Sequence, residues 1–252
     1  MEKEDFEIWE ISPIEYTRSL VLVGYPGVGL AGAVAADYVV NSLGMKRVAA
    51  VYSKHLPPVA VVKEGAPTSP ITIYASEEKC GPQGECDRLL VVSSMVPLAP
   101  EIVHPLGEAL LDWCEATNSD VMVTMEGWAT KEKTPDGTLY GVGTTDRARG
   151  MLSTFRLRPL DQGTVSGLAG HLLYLGERHG KDVVCLLVEA AKDYPDARAA
   201  ASLVTLLQKM LPRLDIKPQP LLKAAEEIEK QMRESLARSE TPRRPEDLSM
   251  YR

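Results

Sequence analysis

The stretch from Ser19 to Ala36 carries no charge and is long enough to be mistaken for a membrane span, yet Pro26 and Gly24, Gly27, Gly29 and Gly32 interrupt its middle. A continuous helix is therefore excluded. Ser19-Leu-Val-Leu-Val-Gly-Tyr25 is short, apolar and rich in β-branched residues, which predicts a buried strand, and the alanine-rich Leu30 to Leu43 predicts the helix that follows the turn. A strand that feeds a helix through a glycine turn commits the chain to an α/β fold.

The same signature recurs along the chain. Arg47–Tyr52, Val59–Lys63, Ile71–Ala75, Leu89–Ser93, Val121–Met125 and Val183–Val188 read as sheet strands, and helices are expected at about 100–117, 164–178 and 195–211. The architecture predicted is α/β, with a mixed β-sheet flanked by helices on both faces and a run of hairpins around Val51 to Ser93. At 252 residues and 44% hydrophobic content the chain can bury one large core, placed at residues 1–212. Leu221, Ala225, Ile228, Met232 and Leu236 then recur three or four apart, predicting an amphipathic helix over 213–238 whose stripe packs either on its own domain or on a second copy. Residues 239–252 hold two prolines, dense charge and no apolar period, and are expected to form a solvated, flexible tether.

A net charge of −7 argues against general affinity for nucleic acid or anionic membranes, which need a basic face. The acidic start Met1-Glu-Lys-Glu-Asp5 lacks the basic head and apolar run of a secretory signal, so a cytoplasmic location is expected. Four cysteines are too few for a disulfide scaffold. Cys114 and Cys185 sit among apolar neighbours as core filler. Cys80 and Cys86 flank a turn-rich Gly81-Pro-Gln-Gly-Glu85, which suits either a disulfide or an unlinked loop, and no partner cysteines or histidines suggest a metal.

Gly27-Val-Gly-Leu-Ala-Gly32 matches the G-x-G-x-x-G spacing that lets a pyrophosphate approach a helix N-terminus. Against that reading, the next strand ends without an acidic residue for a ribose, and no Lys-Ser/Thr pair follows the loop. The glycines equally serve to let the helix lie close on the sheet. His55, His104, His171 and His179 fall in separate segments with no metal-ligand spacing, and Ser93-Ser94 lacks a nucleophile elbow, so no catalytic residue and no metal ligand is assigned. Glu126-Gly-Trp128 at a strand end, with the loop 130–141, is either a pocket whose carboxylate has a raised pKa or plain edge packing.

The chain ends Met250-Tyr251-Arg252. A pliable apolar stem, a flat ring with a hydroxyl and a free carboxylate make a plug for a socket on another protein.

Taken together, Gly24-Tyr-Pro-Gly-Val-Gly-Leu-Ala-Gly32, Leu56-Pro-Pro-Val-Ala60, Gly127-Trp-Ala-Thr130 with Tyr140-Gly-Val142, Gly163-Thr-Val-Ser-Gly-Leu-Ala-Gly170 and Pro195-Asp-Ala-Arg-Ala-Ala-Ala201 resemble the proteasome assembly chaperone 2 family in its archaeal form, over roughly residues 10 to 212. The resemblance implies a fold like that of nucleoside phosphorylases without their catalytic residues, self-association, no cofactor, and no enzymatic activity. It also implies docking on the α-ring of the core proteasome through a hydrophobic-Tyr-X tail, matched by Met250, Tyr251 and Arg252. The competing expectation is a nucleotide- or small-metabolite-binding enzyme that uses Gly27, Gly29 and Gly32.

Overall fold

The computed structural model of the chain describes residues 5–12, 18–63, 65–80, 86–130, 134, 137–192 and 194–227. Its strands are β1 (Glu7–Glu10), β2 (Ser19–Gly24), β3 (Lys46–Tyr52), β4 (Val61–Lys63), β5 (Ala66–Thr68), β6 (Ile71–Ala75), β7 (Arg88–Ser94), β8 (Ser119–Ala129), β9 (Leu139–Gly143), β10 (Arg158–Pro159) and β11 (Val183–Ala190). The helices are α1 (Ala31–Ser42), α2 (Pro100–Ala116), α3 (Asp146–Thr154), α4 (Gly167–His179) and α5 (Ala197–Met210), and residues 219–227 are also helical.

Nine of the described strands form one mixed sheet in the order β1-β3-β6-β7-β2-β8-β11-β9-β10. Its centre is parallel, β2 pairing with β7 and β8, and β8 with β11. These strands are buried on both faces, which is why their sequences are unbroken apolar runs rather than alternating ones. On one face, Leu20 and Leu22 of β2 pack with α1 and α5; on the other, Val21 and Val23 pack with α2 and α4. Ile102, Leu106, Leu110 and Cys114 repeat every four residues and give α2 its buried stripe. Cys114 and Cys185 are free and buried. The protein is thus a single α/β domain with helices on both faces.

Several expectations are redrawn. Val61–Lys63 does not join the main sheet but pairs with β5 in a separate two-stranded sheet, where Val62 stays 66% exposed, because a lone hairpin buries neither of its faces. β1, β9 and α3 carry no long apolar run: α3 buries only Ala148 and Leu152, and depends on its cap, Thr145 accepting the Ala148 N–H at 3.0 Å. Beyond α5, Leu214, Ile216 and Leu221 are buried in the α1–α5 cluster and Ala225 is buried as well, so this part of the late apolar stripe is covered by its own domain. Ile228, Met232 and Leu236 lie outside the described residues.

Cys80 and Cys86 face each other as an antiparallel pair with Cα atoms 4.8 Å apart and are joined in a disulfide. Both are buried, with mutual backbone hydrogen bonds of 2.8 and 3.2 Å. Closing so short a loop is worth about 2 kcal/mol by chain entropy. Reduction, or the double substitution Cys80→Ser and Cys86→Ser, should lower the unfolding free energy by about that amount. Denaturant titration with and without reductant measures it; identical midpoints in both would show that the thiols are unlinked.

Candidate functional site

Open α/β sheets bind ligands at the carboxyl ends of parallel strands, where successive connections leave in opposite directions. Here β2 is followed by α1 and β3 on one side, whereas β7 crosses by α2 to β8 on the other, so the crevice falls between the ends of β2 and β8. The glycine motif lies there, running from Gly27 through a short 3₁₀ turn, Val28–Leu30, into the start of α1.

Each glycine of the motif makes way for a particular neighbour. A Cβ on Gly32 would stand 2.0 Å from the Met125 carbonyl oxygen, and one on Gly27 would stand 1.9 Å from Oε1 of Glu126. Gly29 has φ +61°, and its carbonyl accepts the Asp196 N–H at 2.7 Å. Asp196, itself buried, accepts the N–H groups of Ala191 (2.8 Å) and Ala199 (3.0 Å), tying the loop to the end of β11 and to the first turn of α5. The glycines thus bring loop and helix against the sheet.

Into the space left by Gly27 goes the chain's own carboxylate. Glu126 Oε1 accepts Val28 N–H at 3.3 Å and Gly127 N–H at 3.1 Å. The N–H of Val28, a donor a pyrophosphate would require, is therefore already satisfied. The Tyr25 hydroxyl donates to the same carboxylate and accepts the Ala169 N–H at 2.9 Å in the first turn of α4. One acid therefore links β2, β8, the glycine loop and α4. Burial pushes Glu126 up to about 7, against the lowering pull of the bonds from Tyr25, Val28 and Gly127. Burial, followed by the negative charge of Glu126, also pushes the Tyr25 hydroxyl well above its ordinary value.

A second carboxylate behaves in the opposite way. Glu189, at the end of β11, accepts Thr134 N–H (3.1 Å), Thr134 Oγ1–H (2.8 Å) and Thr138 N–H (3.0 Å) on one oxygen and the Tyr140 hydroxyl at 3.4 Å on the other. Burial acts to raise it, but bonds from Thr138 and Thr134 outweigh that and bring it down to about 2. Trp128 packs edge-on against Tyr140 at 5.2 Å between centroids. The carboxylate picked out beside Trp128 is thus the one with the raised pKa, through burial first, while the tryptophan serves β9. Sequence reasoning missed Tyr25, Glu189 and Asp196; the only local signal among them was the helix-start pattern Pro195-Asp196 ahead of the alanine run.

The other singled-out residues lie elsewhere. His104 and His171 meet across α2 and α4 with ring centroids 4.1 Å apart, and burial first, then the His104 charge, lowers the pKa of His171. His55 lies beside Asp5 at 3.2 Å, and His179 ends α4. Ser94 donates to the Val96 carbonyl, a turn contact. Among the described residues no group of three or more His, Cys, Asp or Glu is placed to hold a metal ion, and no described helix is long and apolar enough to cross a membrane. An apolar cleft of about 280 Å³, with Leu20, Val121, Met151, Phe155 and Leu207 in its wall, opens at the amino ends of β2 and β8, the far end of the sheet from the glycine loop. Met250, Tyr251 and Arg252 lie outside the described residues.

The fold is thus an α/β domain whose mixed sheet is covered on both faces and whose Val28 and Gly127 donors, at the crevice between β2 and β8, are taken by its own Glu126. The profile of the PAC2 family matches residues 21–236, and the chain belongs to that family. Its structure is similar to that of Pyrococcus furiosus PbaA, an archaeal homolog of proteasome-assembly chaperone, with a TM-score of 0.82 and 28% identity over 94% of this chain and 93% of that one. Pyrococcus furiosus PbaB, an archaeal proteasome activator, shares the fold at a TM-score of 0.77 and 20% identity, over 92% and 98% of the two chains. An uncharacterized protein of Methanocaldococcus jannaschii is 24% identical over 225 residues, 89% of this chain and 88% of its own.

Because Glu126 is raised in the folded state, its stabilising share is complete below the ordinary carboxylate range and is lost as pH rises through about 7. Allowing for partial solvent screening, unfolding free energy should fall by about 2 kcal/mol between pH 5 and pH 8, and Glu126→Gln should remove most of that slope. Glu189 acts with the reverse sign, its share being lost as pH falls from the ordinary carboxylate range through about 2. Urea titrations across the range test both. Gly32→Ala should destabilise the domain by about 2 kcal/mol or more, since its methyl meets a backbone oxygen that cannot swing aside. A melting temperature unchanged by that methyl would refute the close-packing role.

Proposed function

We propose that this chain is a non-enzymatic proteasome-binding protein, an assembly chaperone or activator-like cap, that docks on the α-ring of the core proteasome through Met250-Tyr251-Arg252. The observation that carries this reading is the likeness to PbaA, at 28% identity over nearly the whole of both chains. Family membership and the terminal hydrophobic-Tyr-X sequence agree with it.

The proposed contact is recognition without chemistry. The terminal carboxylate pairs with a lysine between adjacent α subunits, while Tyr251 and Met250 fill the apolar wall of the same pocket. A plug of three residues binds weakly by itself, so the reading includes a homo-oligomer whose several tails raise avidity. About ten flexible residues from Ser239 onward reach on the order of 15–20 Å root-mean-square, and this sets the spacing of pockets that one oligomer can span.

Removing the last three residues should abolish co-purification with core proteasome while leaving the melting temperature and oligomeric state unchanged. Amidation of the terminus, which deletes only the charge, should weaken binding about tenfold or more. Retention of full binding by the shortened chain would overturn the docking mode. NAD, ATP and nucleosides should leave the melting temperature where it is; a ligand-induced rise abolished by Gly29→Glu would instead support the glycine loop as an enzyme's binding site.

A further inference from the structure

The two edges of the described nine-stranded sheet are built differently. β10 is two residues long, and one of them is Pro159, which has no N–H to offer an incoming strand. β1 runs for four residues with no proline, lysine or bulge. It pairs antiparallel with β3, Glu7 opposite Tyr52 and Trp9 opposite Ala50, and the ladder ends with Ile11 N–H donating to the Val48 carbonyl at 2.8 Å. Residues two apart in an antiparallel ladder turn their N–H and C=O to the same side. Glu7, Trp9 and Ile11 therefore turn theirs to β3, and Ile8 and Glu10 turn theirs outward, where no described strand receives them.

The side chains along this edge have a definite chemistry. Trp9 is 59% and Tyr52 65% exposed, and the register makes them diagonal neighbours on one face. Glu7 and Glu10 are exposed and make no ion pair with a described residue, whereas the nearby Lys54 and His55 are both engaged by Asp5. The edge thus offers backbone groups that no described strand receives, two aromatic faces and two carboxylates without an ion pair among the described residues.

We propose that β1 is a strand-addition site for an extended segment of a partner protein that carries lysine or arginine at alternate positions. Such a segment pairs its backbone with Ile8 and Glu10 and sets its cations against Glu7 and the rings of Trp9 and Tyr52, which share one face of the sheet, Glu10 lying on the other. Charge complementarity selects this occupant over a second copy. Two copies joined by β1 would gather Glu7 and Glu10 of each chain around one strand junction, which like-charge repulsion opposes.

The test titrates a capped peptide of alternating lysine and valine, about seven residues long, into the full ¹⁵N-labelled chain at low salt. Saturable shifts at the Ile8 and Glu10 amides, with affinity falling as salt rises, are expected. Glu10→Pro deletes an outward donor while sparing the bonds of Trp9 and Ile11 to β3, and should weaken binding about tenfold. Glu7→Gln keeps the backbone and loses the charge on the face that carries Trp9 and Tyr52, with weakening of about threefold. Should Glu10→Pro fail to fold, the double substitution Glu7→Lys and Glu10→Lys, confined to exposed side chains, should abolish binding. No saturable shift at these amides, or full affinity in whichever of these two variants folds, overturns the proposal. So does a salt-promoted dimer joined through β1, which would give the edge to a second copy. A chain lacking residues 250–252 should bind the peptide unchanged, so this test fails or succeeds independently of the tail.

Discussion

The hydrogen bond from the Val28 N–H to the Glu126 carboxylate closes the crevice at the carboxyl ends of β2 and β8, and much of the molecule is arranged to permit it. Gly27 must be bare for the carboxylate to enter, and Gly32 must be bare for α1 to begin against the Met125 carbonyl. Gly127 must be bare as well, since its Cβ would fall 2.0 Å from the Val28 carbonyl oxygen. Were Glu126 absent, the Val28 and Gly127 amides would lose a common acceptor in a part-buried setting, which costs about 1–3 kcal/mol per unmet group. The Tyr25 hydroxyl extends the same link to the start of α4, so layers on both faces of the sheet share one anchor.

The two carboxylates at this end show how environment divides like groups. Glu189 is held by several donors, and its charge is retained far into acid; Glu126, with burial outweighing its donors, sits near neutrality. In an active site such a separated pair would suggest an acid and a base. Here each carboxylate is engaged with its own backbone and hydroxyl donors and ties neighbouring segments together.

How much of this could be read from the sequence follows from burial. Strands enclosed on both faces, such as β2, β7 and β11, are written as apolar runs and were legible, as were helices with a full stripe such as α2 and α5. β1 and α3 lie at the periphery, bury few side chains and leave no period to detect. The glycine loop was legible as a motif in the right context, but its occupant stands 98 residues away from Val28 and carries no local mark. Tyr25 and Ala169 are separated by 144 residues, and no spacing rule joins them. The cysteine pair was legible as a pair because the two stand only six positions apart in the sequence, while the choice between bonded and free required the facing backbone.

With the Val28 and Gly127 donors of the crevice taken by Glu126, the proposed contacts with partners fall at the margins of the fold. The central strands are flanked by neighbours on both sides and covered on both faces, so they present little to a partner. An edge strand offers two outward backbone positions, and a carboxyl terminus offers one charge with its neighbouring side chains. Neither alone buries the roughly 1,600 Å² typical of a stable interface. Sites of this size work by summation: each contributes a few kcal/mol, and linkage on one scaffold converts later contacts into intramolecular events at high effective concentration.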